Sequence, residues 1–381
     1  MTMRLQHVDV ARGLCILFVA LGHNLVLAPE SVFLDHTLKL IRMPLLFFIA
    51  GTLFNARQPM GQLIKHKADA LLKPFLTVAL LQAPFRIALF DASPTEYLLG
   101  ALSGSGNYLP WVYALWFLPH LWAVFFFSRG VVRLTRLDRQ PGLIQVLMLS
   151  AMLLLGCWLL PAFWNRPATV LGMTFQMQGL PFSADLLCIS AFYFLAGFLC
   201  RAQLERLTLQ PLGILLAGAA FMAAMQLGEP AIGLFGRLYQ DPFWATTAAL
   251  SGIALFCYLA KAISLWQPLA RPLAYCGKES LFILIFHSPI QSLCTKGWDH
   301  FMGVPNDLIG FGAFVSCIVC SLVLARIIRS QPWIAMGFLP FKSLRKASRT
   351  SQPATVVLAK ATPPVFQEFP DTEVMISRRA A

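Results

Sequence analysis

The sequence predicts an all-α, polytopic transmembrane helix bundle of about ten helices with both termini in the cytoplasm, and three observations carry that prediction. Of its 381 residues 57% are hydrophobic and only 12% charged, with a mean hydropathy of +0.67, whereas soluble domains carry roughly 25% charged residues. Apolar stretches recur near the roughly 20 residues needed to cross about 30 Å of hydrocarbon. Lys and Arg also alternate from loop to loop, as the positive-inside rule requires.

The apolar windows lie near 10–29, 40–56, 71–90, 110–128, 143–162, 183–200, 211–228, 243–263, 272–293 and 307–328. One set of alternate loops holds Arg57, Lys65, Lys67, Lys73, Arg129, Arg133, Arg136, Arg139, Arg201, Arg206, Lys261 and Arg271, while the opposite set holds only Lys39, Arg166, Arg237 and Lys296. An even number of spans with this bias puts both ends in the cytoplasm, and the implied location is the inner, cytoplasmic membrane as a multi-pass protein. Pro84, Pro119 and Pro289 are expected to kink their helices, freeing carbonyls that border cavities. Residues 1–341 form the expected membrane domain. Residues 342–381, rich in Ser, Thr, Pro and charge without apolar periodicity, are expected to be a disordered cytoplasmic tail.

The formal net charge of +13 follows from this topology, because the cations flank apolar stretches instead of building a basic soluble domain, so no nucleic-acid partner is expected. The first apolar stretch reads as a retained helix and not a signal peptide, since Asp9 and Arg12 interrupt its start. The nine cysteines lie mostly inside apolar spans as small packing residues. Cys317 and Cys320 have CxxC spacing, but Ile318 and Val319 fill the gap in an apolar helix, so no metal or redox site is expected.

Ionisable groups within spans cost roughly 2.5 kcal/mol or more to insert and therefore mark function. The first group is His7-Val8-Asp9-Val10-Ala11-Arg12-Gly13, followed by an apolar run ending in Leu21-Gly22-His23-Asn24. Eleven residues are about three helical turns, so Arg12 and His23 share a face and stand roughly 16 Å apart along the axis. A cation at the cytoplasmic boundary suits phosphate, and a deep neutral imidazole takes a proton from a hydroxyl. Coenzyme A has that shape, with phosphates at one end and a thioester at the other. Asp9 is placed to hold the Arg12 guanidinium across an i,i+3 spacing.

Three further groups are candidates for substrate binding. Trp116 and His120 are i,i+4 neighbours in Leu115-Trp116-Phe117-Leu118-Pro119-His120, where stacking and hydrogen bonding suit a sugar ring. Gly277-Lys278-Glu279-Ser280 leads into an apolar run ending at His287, and the eight-residue spacing puts Glu279 and His287 on one helix face. Arg42 stands near the outer entrance of the second span, with Gly51 further along for close helix approach. Each group also has a plain structural reading, as an interfacial charge or a hydrogen-bonded packing residue.

At these residues the chain resembles the acyltransferase 3 family. Asp9, Arg12-Gly13 and Gly22-His23 look like its first-helix motif, and Arg42-Met43-Pro44 through Phe47-Phe48 and Gly51 look like its second-helix signature. Trp116-Phe117 looks like its mid-chain motif, and Ser280-Leu281 with His287 like its late-helix motif. The resemblance covers about residues 5–330. It implies a membrane-bound O-acyltransferase that takes an acyl group, acetyl or succinyl, from acyl-CoA to a hydroxyl of a cell-surface or exported glycan, with Arg12 and His23 essential. The donor is a substrate, and no bound cofactor is implied. Many members carry paired arginines after the second helix, where this chain has Lys65, Lys67 and Lys73. His23 is expected to act as general base or to carry a transient acyl group. A transporter or flippase for a glycan or lipid-linked intermediate is the chief alternative, and a non-catalytic scaffold the second. The sequence leaves open the acyl group, the acceptor, the membrane face of transfer and the oligomeric state.

Overall fold

Runs of Leu, Phe, Ala and Ile offer a buried backbone no water to bond to, so each run satisfies its own N–H and C=O groups by coiling into a helix. The computed structural model describes residues 6–24, 26–27, 32–90, 93–104, 113–170, 173–302 and 307–341. The expected tail, 342–381, lies outside the described residues.

In chain order the longer helices are α1 (Gln6–Leu21), α2 (Val32–Thr52), α3 (Met60–Lys67), α4 (Lys73–Phe90), α5 (Pro94–Ser103), α6 (Phe117–Thr135) and α7 (Gly142–Leu159). They continue as α8 (Leu187–Leu199), α9 (Pro211–Leu227), α10 (Pro242–Ser264), α11 (Gln267–Lys278), α12 (Ser280–Met302) and α13 (Asp307–Ser330). A π-helical stretch, Ala68–Leu72, joins α3 to α4, and a 3-10 turn, Tyr113–Trp116, leads into α6.

Every predicted apolar window overlaps one of these helices. Among the described residues six helical stretches are long and apolar enough to cross a membrane: Met60–Ala88, Tyr113–Thr135, Gly142–Ala162, Pro181–Leu199, Pro242–Ser264 and Asp307–Ser330. The other windows fall short for physical reasons. α1 has 16 residues, α9 has 17, and α2 carries Asp35, Lys39 and Arg42 within its length.

Two details of the predicted spans are corrected by the structure. The window 10–29 is not one helix, because α1 stops at Leu21 and the chain turns through Gly22 and His23. The window 272–293 is divided at Glu279, a turn between α11 and α12. The bundle is also not purely helical. Antiparallel hairpins pair β1 (Trp164–Val170) with β2 (Met173–Gln178), and β3 (Ala231–Gly233) with β4 (Leu238–Gln240). Both lie in connections between spans, where short strands satisfy backbone groups that the helices do not reach.

The inner helices are recognisable by burial. In the apolar window of Tyr113–Thr135 67% of residues are buried, against 22% in Gly142–Ala162, whose Leu143, Leu147, Leu154 and Trp158 are exposed. That outward apolar surface is what a helix facing lipid presents.

Two helix crossings are built on reciprocal glycines. At the contact of α1 with α11, a Cβ added at Gly13 would overlap the Leu273 carbonyl, and one at Gly277 would overlap the Asp9 carbonyl. At the contact of α2 with α8, a Cβ at Gly51 would strike the Phe194 carbonyl and one at Gly197 the Phe48 carbonyl. Such small-residue contacts let backbones touch where lipid gives no hydrophobic drive to associate. They fix the rotation of α1 and α2, and hence the direction of Arg12, His23 and Arg42.

Candidate active site

The residues with chemistry gather where α1 ends. Gly22 N donates to Phe18 O at 2.9 Å and His23 N to Ala20 O at 3.2 Å, so the last turn tightens and stops. Asn24 closes the break: its Oδ1 accepts from Val26 N at 3.0 Å and Leu27 N at 2.9 Å, and its Nδ2 donates to Gly310 O at 2.8 Å. The polar residues Gly22-His23-Asn24 thus form a capped helix end tied to α13, with His23 presented sideways from it.

His23 has two aromatic neighbours. Its Nδ1 is 2.8 Å from the Tyr113 hydroxyl, and the Tyr113 ring meets it edge-on at 4.9 Å. On its other side it stacks on His287, with centroids 5.2 Å apart and planes 23° from parallel. His287 Nδ1 is 2.9 Å from both Ile283 O and Leu284 O. A carbonyl can only accept, so Nδ1 carries the proton and Nε2 holds the lone pair. That Nε2 is buried and has no hydrogen-bond partner among the described residues.

A cavity of about 240 Å³ opens beside this pair, lined by His23, Lys39, Arg42, Tyr113, Trp116 and the segment Ile232–Gly236. Arg42 lies against Gly22, whose missing side chain leaves the space its Nη1 fills, and that Nη1 has no hydrogen-bond partner among the described residues. Lys39 is paired with Asp35 one turn away. Trp116 is 6.0 Å from the Phe235 ring, and both line the cavity wall together with its cations.

The wall is anchored by a residue that the sequence offered only as a loop charge. Arg237 Nε donates to Asp185 Oδ2 at 2.8 Å, with the two side chains 4% and 0% exposed. Its Nη1 donates to Phe235 O at 3.0 Å and its Nη2 to Ser183 Oγ at 3.2 Å. The Trp164 ring covers the guanidinium at 4.8 Å. The connection between β3 and β4 is thereby held in place over Trp116 and Tyr113.

A second polar cluster lies at the other end of α1. Arg12 Nη2 donates to Ser280 Oγ at 3.0 Å. Lys67 stands within electrostatic range of Arg12, its Nζ 3.7 Å above the Phe125 ring. Asp9 is buried and its carbonyl packs against Gly277. Glu279 accepts from Arg329 Nη2 at 2.8 Å.

The structure therefore brings His23, Arg42, Trp116 and His287 together, and separately Arg12, Ser280 and Glu279. Arg12 and His23 both meet α12, through Ser280 and His287, which are seven residues or about two turns apart on it. Arg12 does not line the cavity. The turn at Glu279 opens α12, its carbonyl accepting from Ile283 N at 3.2 Å, and its carboxylate bonds Arg329. His120 is fully buried with both ring nitrogens engaged, Nδ1 with Phe182 O at 3.0 Å and Nε2 with Ser190 Oγ at 2.7 Å. It backs Trp116, their rings 5.5 Å apart, and does not line the cavity.

Sequence reasoning did not single out Tyr113 or the Arg237–Asp185 pair, both joined to partners far away in the chain. The only signal for Tyr113 was its place three residues before Trp116.

No curated protein and no solved structure matches the chain. One family model, described as an acyltransferase domain, matches residues 5–326. A match over nearly the whole helical bundle, with an imidazole, guanidinium and phenol converging on one cavity, assigns the chain to the acyltransferase 3 family, a family of membrane acyltransferases.

Proposed function

We propose that this membrane acyltransferase moves an acyl group, acetyl or succinyl, from acyl-CoA to a carbohydrate hydroxyl of an exported or cell-surface glycan, with the chemistry at His23. The observation that carries this reading is the setting of His23: an imidazole held by the Tyr113 hydroxyl at 2.8 Å, stacked on His287, and open to a cavity with Arg42 and Trp116 in its walls.

We assign the proton of the 2.8 Å Nδ1–Tyr113 contact to Nδ1, which leaves Nε2 to take a proton. The acceptor hydroxyl attacks the thioester carbonyl as Nε2 removes its proton, a role worth typically 10²–10⁴ in rate. Transfer through an acyl-His23 uses the same geometry. Trp116 gives the sugar a flat apolar surface. Arg12, with Lys67 beside it, provides two cations for the donor phosphates at the far end of α1. From Arg12 to Leu21 the helix rises about 14 Å, a distance a pantetheine arm spans. His120 and Glu279, each bonded to protein groups, act behind the substrate, supporting Trp116 and the Arg12 end. The proposed setting is the inner membrane, with about ten crossings and both termini cytoplasmic.

The test is acceptor-dependent release of free coenzyme A by the purified protein, with His23→Ala as control. Coenzyme A release that needs both acceptor and His23 supports the enzyme. Movement of a glycan or lipid across vesicles without covalent change supports the transporter instead.

A further inference from the structure

Arg42 Nη1 is a buried donor without a hydrogen-bond partner among the described residues. Leaving such a group unsatisfied costs about 1–3 kcal/mol, more when it is charged. The carbonyl end of α1 and the nearby Asp35 explain why a cation is welcome there. Neither explains why one of its N–H groups is left without an acceptor.

The position is held from two sides. A Cβ built on Gly22 would fall on Arg42 Nη1 and come within 3.1 Å of Cζ, so glycine is what allows the guanidinium to lie at this height beside His23. Behind it, Cys15 Sγ donates to the Arg42 carbonyl at 3.4 Å, fixing the main chain where α2 approaches α1. Arg42 and His23 line the same cavity. An orphan donor is thus fixed beside the imidazole that removes a proton.

We propose that Arg42 Nη1 holds the oxyanion of the acyl-transfer step, in a seat that Gly22 keeps open. This rests on the acyl-transfer reading above and adds to it the group that stabilises the transition state. As the acceptor oxygen bonds to the thioester carbon, its proton passes to His23 and the carbonyl π pair moves onto the carbonyl oxygen, which Arg42 Nη1 binds. On collapse the C=O bond reforms, the C–S bond breaks, and the departing sulfur takes the proton from His23. Ester and free thiol leave with no other reactant consumed. Because charge on that oxygen exists only in transit, the interaction acts on kcat more than on KM.

Gly22→Ala separates the seat from its occupant: it changes no ionisable group but displaces the guanidinium. Arg42→Lys keeps the charge and removes the planar fork, and Arg42→Gln removes the charge. Each full-length variant is assayed in detergent with acetyl-CoA and a panel of methyl glycosides as probes, beside wild type and His23→Ala, with thermal unfolding to verify folding. Gly22→Ala and Arg42→Lys are each expected to lower kcat by about 10²- to 10³-fold, the cost of one oxyanion donor, with KM for acetyl-CoA within about threefold. The double variant Gly22→Ala/Arg42→Gln should fall no lower than Arg42→Gln alone, since both remove one interaction. Should Gly22→Ala not fold, the two Arg42 variants decide alone. Near wild-type kcat in the Arg42 variants, or a raised KM at constant kcat, overturns the oxyanion seat while leaving His23-dependent transfer standing. Failure of wild type to release coenzyme A with any glycoside overturns both.

Discussion

Tyr113→Phe removes one oxygen and keeps a ring of nearly the same size between His23 and Phe235, whose centroids lie 4.9 and 6.1 Å from it. The oxygen is 2.8 Å from His23 Nδ1. A neutral hydrogen bond of this kind contributes about 0.5–1.5 kcal/mol, and one to a charged group about 1.5–3 kcal/mol. If the bond only positions a neutral imidazole, kcat falls about tenfold, since 1.36 kcal/mol is a factor of ten. If it also steadies the imidazolium formed when the acceptor proton arrives, the loss approaches 100-fold. Stopped-time assays of coenzyme A release from acetyl-CoA, with kcat and KM fitted separately, read this directly. A fall of 10- to 100-fold in kcat with little change in KM for acetyl-CoA is expected. A kcat within twofold of wild type in a variant of unchanged thermal stability would refute the assignment of Tyr113 as the residue that holds His23.

Two other perturbations read other parts of the molecule. Asp185→Ala leaves the Arg237 guanidinium, 4% exposed, without its carboxylate; breaking a buried pair costs about 3–5 kcal/mol, and the remaining acceptors Phe235 O and Ser183 Oγ put the expected loss near 3 kcal/mol. Thermal unfolding in detergent checks it, and an unchanged midpoint would show that the wall over Trp116 does not depend on this pair. Arg12→Ala is expected to raise KM for acetyl-CoA at least tenfold with a smaller effect on kcat, and Arg12→Lys to recover part of the loss. A pure kcat defect would remove Arg12 from donor binding.

The sequence showed most where the structure is local. Arg12 and His23 were visible as a pair because α1 is an unbroken helix from Gln6 to Leu21, and three turns of constant pitch carry one face from one residue almost to the other. The break after Leu21 was foreshadowed only by Gly22 and Asn24 standing together in an apolar run. Contacts across long separations were not legible. Tyr113 meets His23 across 90 residues and Arg237 meets Asp185 across 52, and periodicity carries no information on either. The glycine crossings illustrate the same limit: Gly51 read as a packing residue, but its partner Gly197 appears only when α2 and α8 are side by side. Glu279 was read inside one apolar window, 272–293, but the chain turns there and divides α11 from α12. The hairpins at 164–178 and 231–240 escaped notice because hydropathy reads them simply as connections between apolar windows.

The most direct test of the account follows the label itself. Acetyl-CoA carrying an isotopically labelled acetyl group is incubated with the purified chain and a methyl glycoside panel, and mass spectrometry searches for the labelled ester. Wild type is expected to form the ester, and a folded His23→Ala variant none above background. A labelled ester formed at an undiminished rate without His23 would contradict the claim that this imidazole performs the transfer.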